Sequence, residues 1–376
     1  MSRRLGLAVA FLLAAATSSA AATPGSWSVL PAAPIAPDAG LASVWTGKEM
    51  LVFGRQESRA EDGAVLKRVD VAEAYNPKAS TWRRLPSPGA TGSFMGESAI
   101  WTGKEMLVWG QGTHEAFDPL ANRWRRLPAP PLAAHDAAGL VVWTGRELIG
   151  WGGGCCGDAF SDGAAYSPAT NRWRKLAPSP LAGSAQPIGA WTGRELILLV
   201  GNLDPNGKPW PARLARAAAY NPASGKWRRI APLPAARSGA TAVWDGRELL
   251  VVGGWQGGRP PATAPTGFAY DPASNRWRRL PRMESGRIGA AAVWTGTRLL
   301  VWGGRTQPVG AAAPNVPGHG LAYDPRTNRW SPLSPAPVLG RTDPTAVWTG
   351  DELIVWGGGD SYPPFADGAA FRPTAR

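Results

Sequence analysis

The chain is predicted to be all-β: seven four-stranded antiparallel blades closed into a β-propeller, with an N-terminal strand completing the last blade. Three observations carry this. A tryptophan-led segment, first "VWTGKEMLVFG" at residues 44–54, occurs seven times, with its tryptophan at Trp45, Trp101, Trp143, Trp191, Trp244, Trp294 and Trp348. Its period varies between 42 and 56 residues, blade length rather than solenoid length. A second signature, first "YNPKASTWRRLP", follows each of the first six and supplies Trp82, Trp124, Trp173, Trp227, Trp277 and Trp330. Third, the two ends are complementary. The last unit stops at "GAAFRPTAR" without a fourth strand, while "GSWSVLPAAP" offers one at Trp27 with nothing before it. Joining them closes the ring and removes its free edges.

Each unit reads as four strands in order. The small apolar run before the leading Trp, such as "GATAV" at 239–243, suits a crowded inner strand. "TG" with the following basic residue and Glu is a tight turn, Gly supplying the positive φ that hairpins need. "ELLVVGG" is continuously apolar, as expected of a strand covered on both faces by neighbouring blades. A variable loop leads to "GFAYDP", closed by a proline turn, and "RWRRLP" forms the outer strand, ended by its proline.

Composition agrees. The 376 residues include 47 Gly and 37 Pro, the mark of many turns, and 20 Trp, which argue against disorder. Residues 1–22 read as a secretory signal: Arg3 and Arg4, an apolar run from Leu5 to Ala16, and an A-x-A step at Ala20–Ala22. That run is shorter than the roughly 20 residues a membrane helix needs. Residues 23–376 are therefore expected to be one exported propeller, secreted or periplasmic, without a transmembrane segment and acting as a monomer. Losing the leader's two arginines lowers the net charge from +13 to +11. Basic surface suits anionic glycans or envelope polymers, and export argues against nucleic acid as partner.

The glycine doublets Gly152-Gly153, Gly253-Gly254, Gly303-Gly304 and Gly357-Gly358, with Tyr, six residues, then Trp at Tyr75/Trp82, Tyr166/Trp173, Tyr220/Trp227, Tyr270/Trp277 and Tyr323/Trp330, resemble the kelch repeat. Blade 2 has Phe117 and blade 7 Phe371 in place of Tyr, and the doublet is imperfect in blades 1, 2 and 4. The tryptophan-docking repeat of quinone-dependent dehydrogenases lacks both the doublet and the Tyr-x-Pro step. The kelch resemblance covers essentially the whole mature chain and implies the galactose oxidase/kelch-like propeller superfamily, in its bacterial exported form. Most such proteins look like binding platforms; a minority are copper oxidases or periplasmic sialic-acid mutarotases. Fold does not carry function, so each site is weighed on its residues.

A copper centre needs converging histidine and tyrosine ligands. His114, His135 and His319 are the only histidines, spread over blades 2 and 6, and five of six tyrosines occupy the repeat position, leaving Tyr362. Neither copper nor zinc is expected, and no cofactor. The pairs Arg83-Arg84, Arg125-Arg126, Arg228-Arg229 and Arg278-Arg279 recur with the fold and read as charges that protect outer edges. Glu49, Glu105, Glu147, Glu195, Glu248 and Glu352 likewise read as structural.

The variable loops between second and third strands, and between blades, emerge at one end of the ring, where binding is usually placed. Seven residues before each leading Trp stand Asp38, Phe94, Asp136, Ser184, Arg237, Arg287 and Arg341. Arg237, Arg287 and Arg341 on consecutive blades, with Asp38 and Asp136, are the candidate ligand-binding residues. A guanidinium fork suits carboxylate, sulfate or phosphate; alternatively it braces the rim through loop carbonyls and acids. The only cysteines, Cys155 and Cys156, follow the blade 3 doublet. Their spacing excludes a C-x-x-C redox pair, and further zinc ligands are lacking. A vicinal disulfide stiffening the loop is expected, with a reduced pair or an intermolecular bridge as alternatives. The functional expectation is a non-enzymatic platform binding a glycan or protein at the loop-rich face. The alternatives are a sugar-processing enzyme resembling sialic-acid mutarotases, with Asp38 and Asp136 as acid/base candidates, and a purely structural envelope protein.

Overall fold

A computed structural model describes residues 25–35, 39–59, 65–88, 98–110, 113–132, 138–154, 158–201, 216–235, 237–256, 262–306, 315–359 and 364–374. Among them are seven four-stranded antiparallel sheets. Blade 1 comprises Ala39–Trp45, Met50–Arg59, Val65–Asn76 and Thr81–Arg84. Blades 2 to 6 repeat the order, their inner strands ending at Trp101, Trp143, Trp191, Trp244 and Trp294. Blade 7 takes Thr345–Trp348, Leu353–Trp356 and Gly368–Pro373 from the end of the chain and its outer strand, Gly25–Val29, from the start. Trp27 pairs with Phe371 in that junction. The inner strands touch in ring order, that of blade 7 against that of blade 1. Blade 5 adds a ribbon of Trp255–Gln256 with Ala262–Thr263.

The core is not central. Seven apolar clusters each lie between two neighbouring blades, built chiefly from second and third strands. Met50 to Phe53, Leu196 to Leu198 and Leu249 to Leu250 are fully buried there, which is why the second strand reads apolar at every position. Each such large side chain contributes about 1.5–3 kcal/mol.

The Tyr-x₆-Trp spacing is a cross-strand pair. Tyr166 faces Trp173 in register with ring centroids 5.1 Å apart, and the other six blades stack their Tyr or Phe on Trp at 4.9–5.2 Å. Each outer Trp also staples its blade to the one before. Trp124 Nε1 donates to Pro86 O at 2.8 Å, Trp173 to Pro128 O at 2.7 Å, and Trp27 to Ser334 O at 2.8 Å across the closure.

A second tie crosses the same junctions at the turn-bearing end. In blades 1 to 5 the Glu of the hairpin turn accepts the fork of the first outer-strand arginine: Arg125 Nε and Nη2 lie 2.9 and 2.8 Å from the Glu105 oxygens. The free Nη1 of Arg125, Arg174 and Arg278 then reaches Tyr166, Tyr220 and Tyr323 Oη in the next blade, at 3.2, 3.0 and 3.2 Å. The Arg83 fork holds the Glu49 carboxyl below its ordinary pKa, and Arg228 does the same for Glu195. Thus the glutamates are structural, as expected. Arg125 and Arg278, however, are inter-blade girders rather than edge charges, and Arg83 is tied to Glu49 within its own blade; the second of each pair, such as Arg126 or Arg279, is exposed.

Candidate ligand-binding site at the channel mouth

The loops at the other end are held by the glycine doublets and by the three arginines. Gly254 N donates to Arg287 O at 2.8 Å and Gly304 N to Arg341 O at 2.9 Å, each tying a second strand to the entry loop of the next blade. The doublet must be glycine for this. Gly253 and Gly303 have φ of +68° and +72°, and a Cβ would lie 2.3 Å from Arg287 O and 2.5 Å from Arg341 O.

The arginine side chains turn back into their own blades. Arg237, Arg287 and Arg341 are only 5, 1 and 2% exposed. Arg287 Nη1 donates to Gly303 O at 3.0 Å and His319 O at 2.9 Å, and Arg237 to Gly253 O and Thr266 O. Arg341 donates to Leu339 O and Asp367 O, pairs with the Asp367 carboxylate, and stacks on Phe365 at 4.1 Å. Burial pulls Arg237 and Arg287 down to about 10. The three occupy equivalent positions but do not converge: each guanidinium sits beneath the rim, fixing the loops that form it.

What faces the channel is the residue two places further on. Five before the leading Trp stand Gln186, Gly239, Gly289 and Asp343 in blades 4 to 7. Gly239, Gly289 and Asp343 all take left-handed φ, +60°, +65° and +48°. Gly239 and Gly289 line the mouth, their Cβ positions taken up by Ile288 and Asp343, and the exposed side chains of Gln186 and Asp343 flank it. The cavity there is about 440 Å³ and is lined further by Trp255, Ile288, Arg305 and Thr342. Backbone bonds between Trp255 and Ser238, 2.7 and 3.2 Å, hold the Trp255 ribbon against the entry loop of blade 5. A Cβ on Gly289 would lie 2.8 Å from Asp343 Oδ1, so the carboxylate closes over the glycine. Asp343 is the only non-glycine among the described residues with left-handed φ outside the third-to-fourth-strand turns. Such strain, roughly 1 kcal/mol, tends to persist where function requires it.

The kelch motif model matches residues 236–284, which hold Arg237, the doublet Gly253-Gly254, Tyr270 and Trp277. The chain is a seven-bladed β-propeller that carries a kelch motif. Comparison with curated proteins finds no match. Among solved structures, the propeller is similar to one described as a novel fungal alcohol oxidase with catalytic diversity among the AA5 family, in complex with copper. The TM-score is 0.66 at 15% identity, over 93% of this chain and 76% of that one. At this identity the likeness is one of fold.

Among the described residues of the propeller no three His, Cys, Asp or Glu side chains are grouped to hold a metal, and the described histidines lie on blades 2 and 6. His319 is engaged with Glu284, and His114 lies on blade 2, where burial and then Arg126 lower its pKa. Asp38, Asp136, Phe94, His135, Tyr362, Cys155 and Cys156 lie outside the described residues, as do the leader and the reading of a vicinal disulfide. Sequence reasoning missed two buried acids. Glu73 and Glu115 occupy the third-strand position that is Ala164 or Ala218 in other blades, 1 and 3% exposed. Burial pushes Glu73 up to about 7, against the Ile35 amide and Arg84. Aligning the third strands would have revealed both.

Proposed function

We propose that this kelch propeller is an exported, non-enzymatic binding platform and that its ligand at the loop-rich end is a glycan. The observation that supports this is the polar-lined cavity of about 440 Å³ at the channel mouth. An indole (Trp255), an amide (Gln186), a carboxylate (Asp343) and a guanidinium (Arg305) surround one concave space. An indole offers an apolar face to a sugar ring, while the polar groups offer donors and acceptors to its hydroxyls. In this reading Arg237, Arg287 and Arg341 act as positioning residues that hold the binding loops, and the protein is a monomer exported by the leader read at residues 1–22.

The test is a glycan array followed by calorimetry with the propeller, its Trp255→Ala variant and its Gln186→Ala variant. Saturable binding to a glycan, weakened at least tenfold in both variants, is expected. Binding unaffected by either variant, or preference for a protein ligand, would overturn it. Turnover of an acidic sugar would replace the platform with a sugar-processing enzyme.

A further inference from the structure

The turn-bearing end carries equipment that neither the girders nor the channel mouth uses. The seven leading tryptophans close their inner strands there, packed against the inter-blade clusters yet half-exposed. Their indole N–H groups make no hydrogen bond among the described residues, in contrast to the outer-strand tryptophans, which are stapled to the preceding blade. Across blades 2 to 4 a cleft of about 1030 Å³ is lined by Trp143 and Trp191 together with Lys104, Arg146 and Arg194. These three cations are exposed, sit at the same position of successive turns, and form no ion pair among the described residues. The acids in the cleft wall, Glu105 and Glu147, are already held by Arg125 and Arg174 at 2.8 and 2.6 Å. The cleft is therefore aromatic and net basic. The matching cleft of blades 5 to 7, about 710 Å³, keeps two indoles, Trp294 and Trp348, but sets Asp245, Asp324 and Asp351 among its arginines.

We infer that the cleft over blades 2 to 4 is a second binding site, for an acidic polysaccharide. Trp143 and Trp191 take sugar rings on their faces, and Lys104, Arg146 and Arg194 take the carboxylate or sulfate groups. The indoles line a recess beside exposed turns, so a chain of rings can enter where a flat anionic bilayer cannot. The exposed cations of the cleft favour a polyanion, and the exported setting proposed above favours an acidic glycan over nucleic acid.

Polygalacturonate is the probe, with dextran, oligo(dT) and phosphatidylglycerol vesicles as competitors at equal salt. Polygalacturonate is expected to quench tryptophan fluorescence saturably, with affinity that falls as salt rises and with no response to dextran. A Lys104→Gln/Arg146→Gln/Arg194→Gln variant, whose changes lie on exposed turns, should keep the parent melting temperature and lose at least tenfold in affinity. An Arg247→Gln/Arg326→Gln variant in the other cleft should bind as the parent does. The inference is overturned if polygalacturonate does not bind, if the triple variant binds it unchanged, or if oligo(dT) or the vesicles bind as tightly.

Discussion

At the turn-bearing end, Glu49, Glu105, Glu147, Glu195 and Glu248 each accept the fork of an arginine from their own blade, in one geometry repeated around the ring. At the loop-bearing end, the residue facing the channel changes from Gln186 to Gly239, Gly289 and Asp343 on successive blades. The same repeat builds both ends. Where a residue recurs with its partner it holds blades together; where the repeat is broken at the mouth, the break shapes the candidate site.

The comparison is broken most forcefully at a glycine from each end. Gly253 has no room for a Cβ, whereas Gly246, in a hairpin turn with φ +98°, meets nothing within 4 Å. Gly253→Ala should cost about 3 kcal/mol or more, combining strain with a backbone clash, and Gly246→Ala about 1 kcal/mol. Urea unfolding measures both; equal losses would show that the doublet is not the inter-blade tie described.

The next effect depends on pH. The folded state holds the Glu73 proton up to about pH 7, while the unfolded chain releases it near 4.5. Between those values the fold binds more protons than the unfolded chain, so ionisation of Glu73 removes stability as pH rises through the window. Glu73→Gln should therefore raise stability by about 2 kcal/mol at pH 8 and leave it unchanged at pH 4.5. An equal change at both would remove the buried-acid explanation.

The girders are worth less. Arg174 links Glu147 to Tyr220 of the next blade, whereas Arg372 of blade 7 is two-thirds exposed and pairs with Glu352 alone at 3.1 Å. Arg174→Ala should cost about 1–2 kcal/mol and Arg372→Ala at most about 0.5. Equal small losses would mean that the tyrosine link adds nothing.

These contrasts explain what could be read without coordinates. Blade number, strand order and ring closure follow from Trp, Tyr and Gly spacings because each spacing is a contact made seven times, such as Tyr166 on Trp173. The site was half legible. Alignment on the leading Trp led to the entry loops through Arg237, Arg287 and Arg341, but a long side chain can fold back onto its own blade, and pattern alone does not show this. The groups around the mouth were hidden because two of the four positions are glycines and because Trp255 and Arg305 reach the cavity from other segments of their blades. Glu73 and Glu115 were hidden because a carboxylate in an inter-blade core runs against the apolar pattern of its neighbours.

The smallest stability effect bears on the central claim. In blades 5 and 6 the position of Asp343 is filled by Gly239 and Gly289, which adopt the same left-handed backbone without strain. If Asp343 is there for the ligand, Asp343→Gly should raise stability, by up to about 1 kcal/mol, and lose glycan binding in the same protein. Melting temperature and calorimetric affinity measured together decide it. A gain in stability with loss of binding is the result predicted; a variant that binds as the parent does, or that is less stable, contradicts the account.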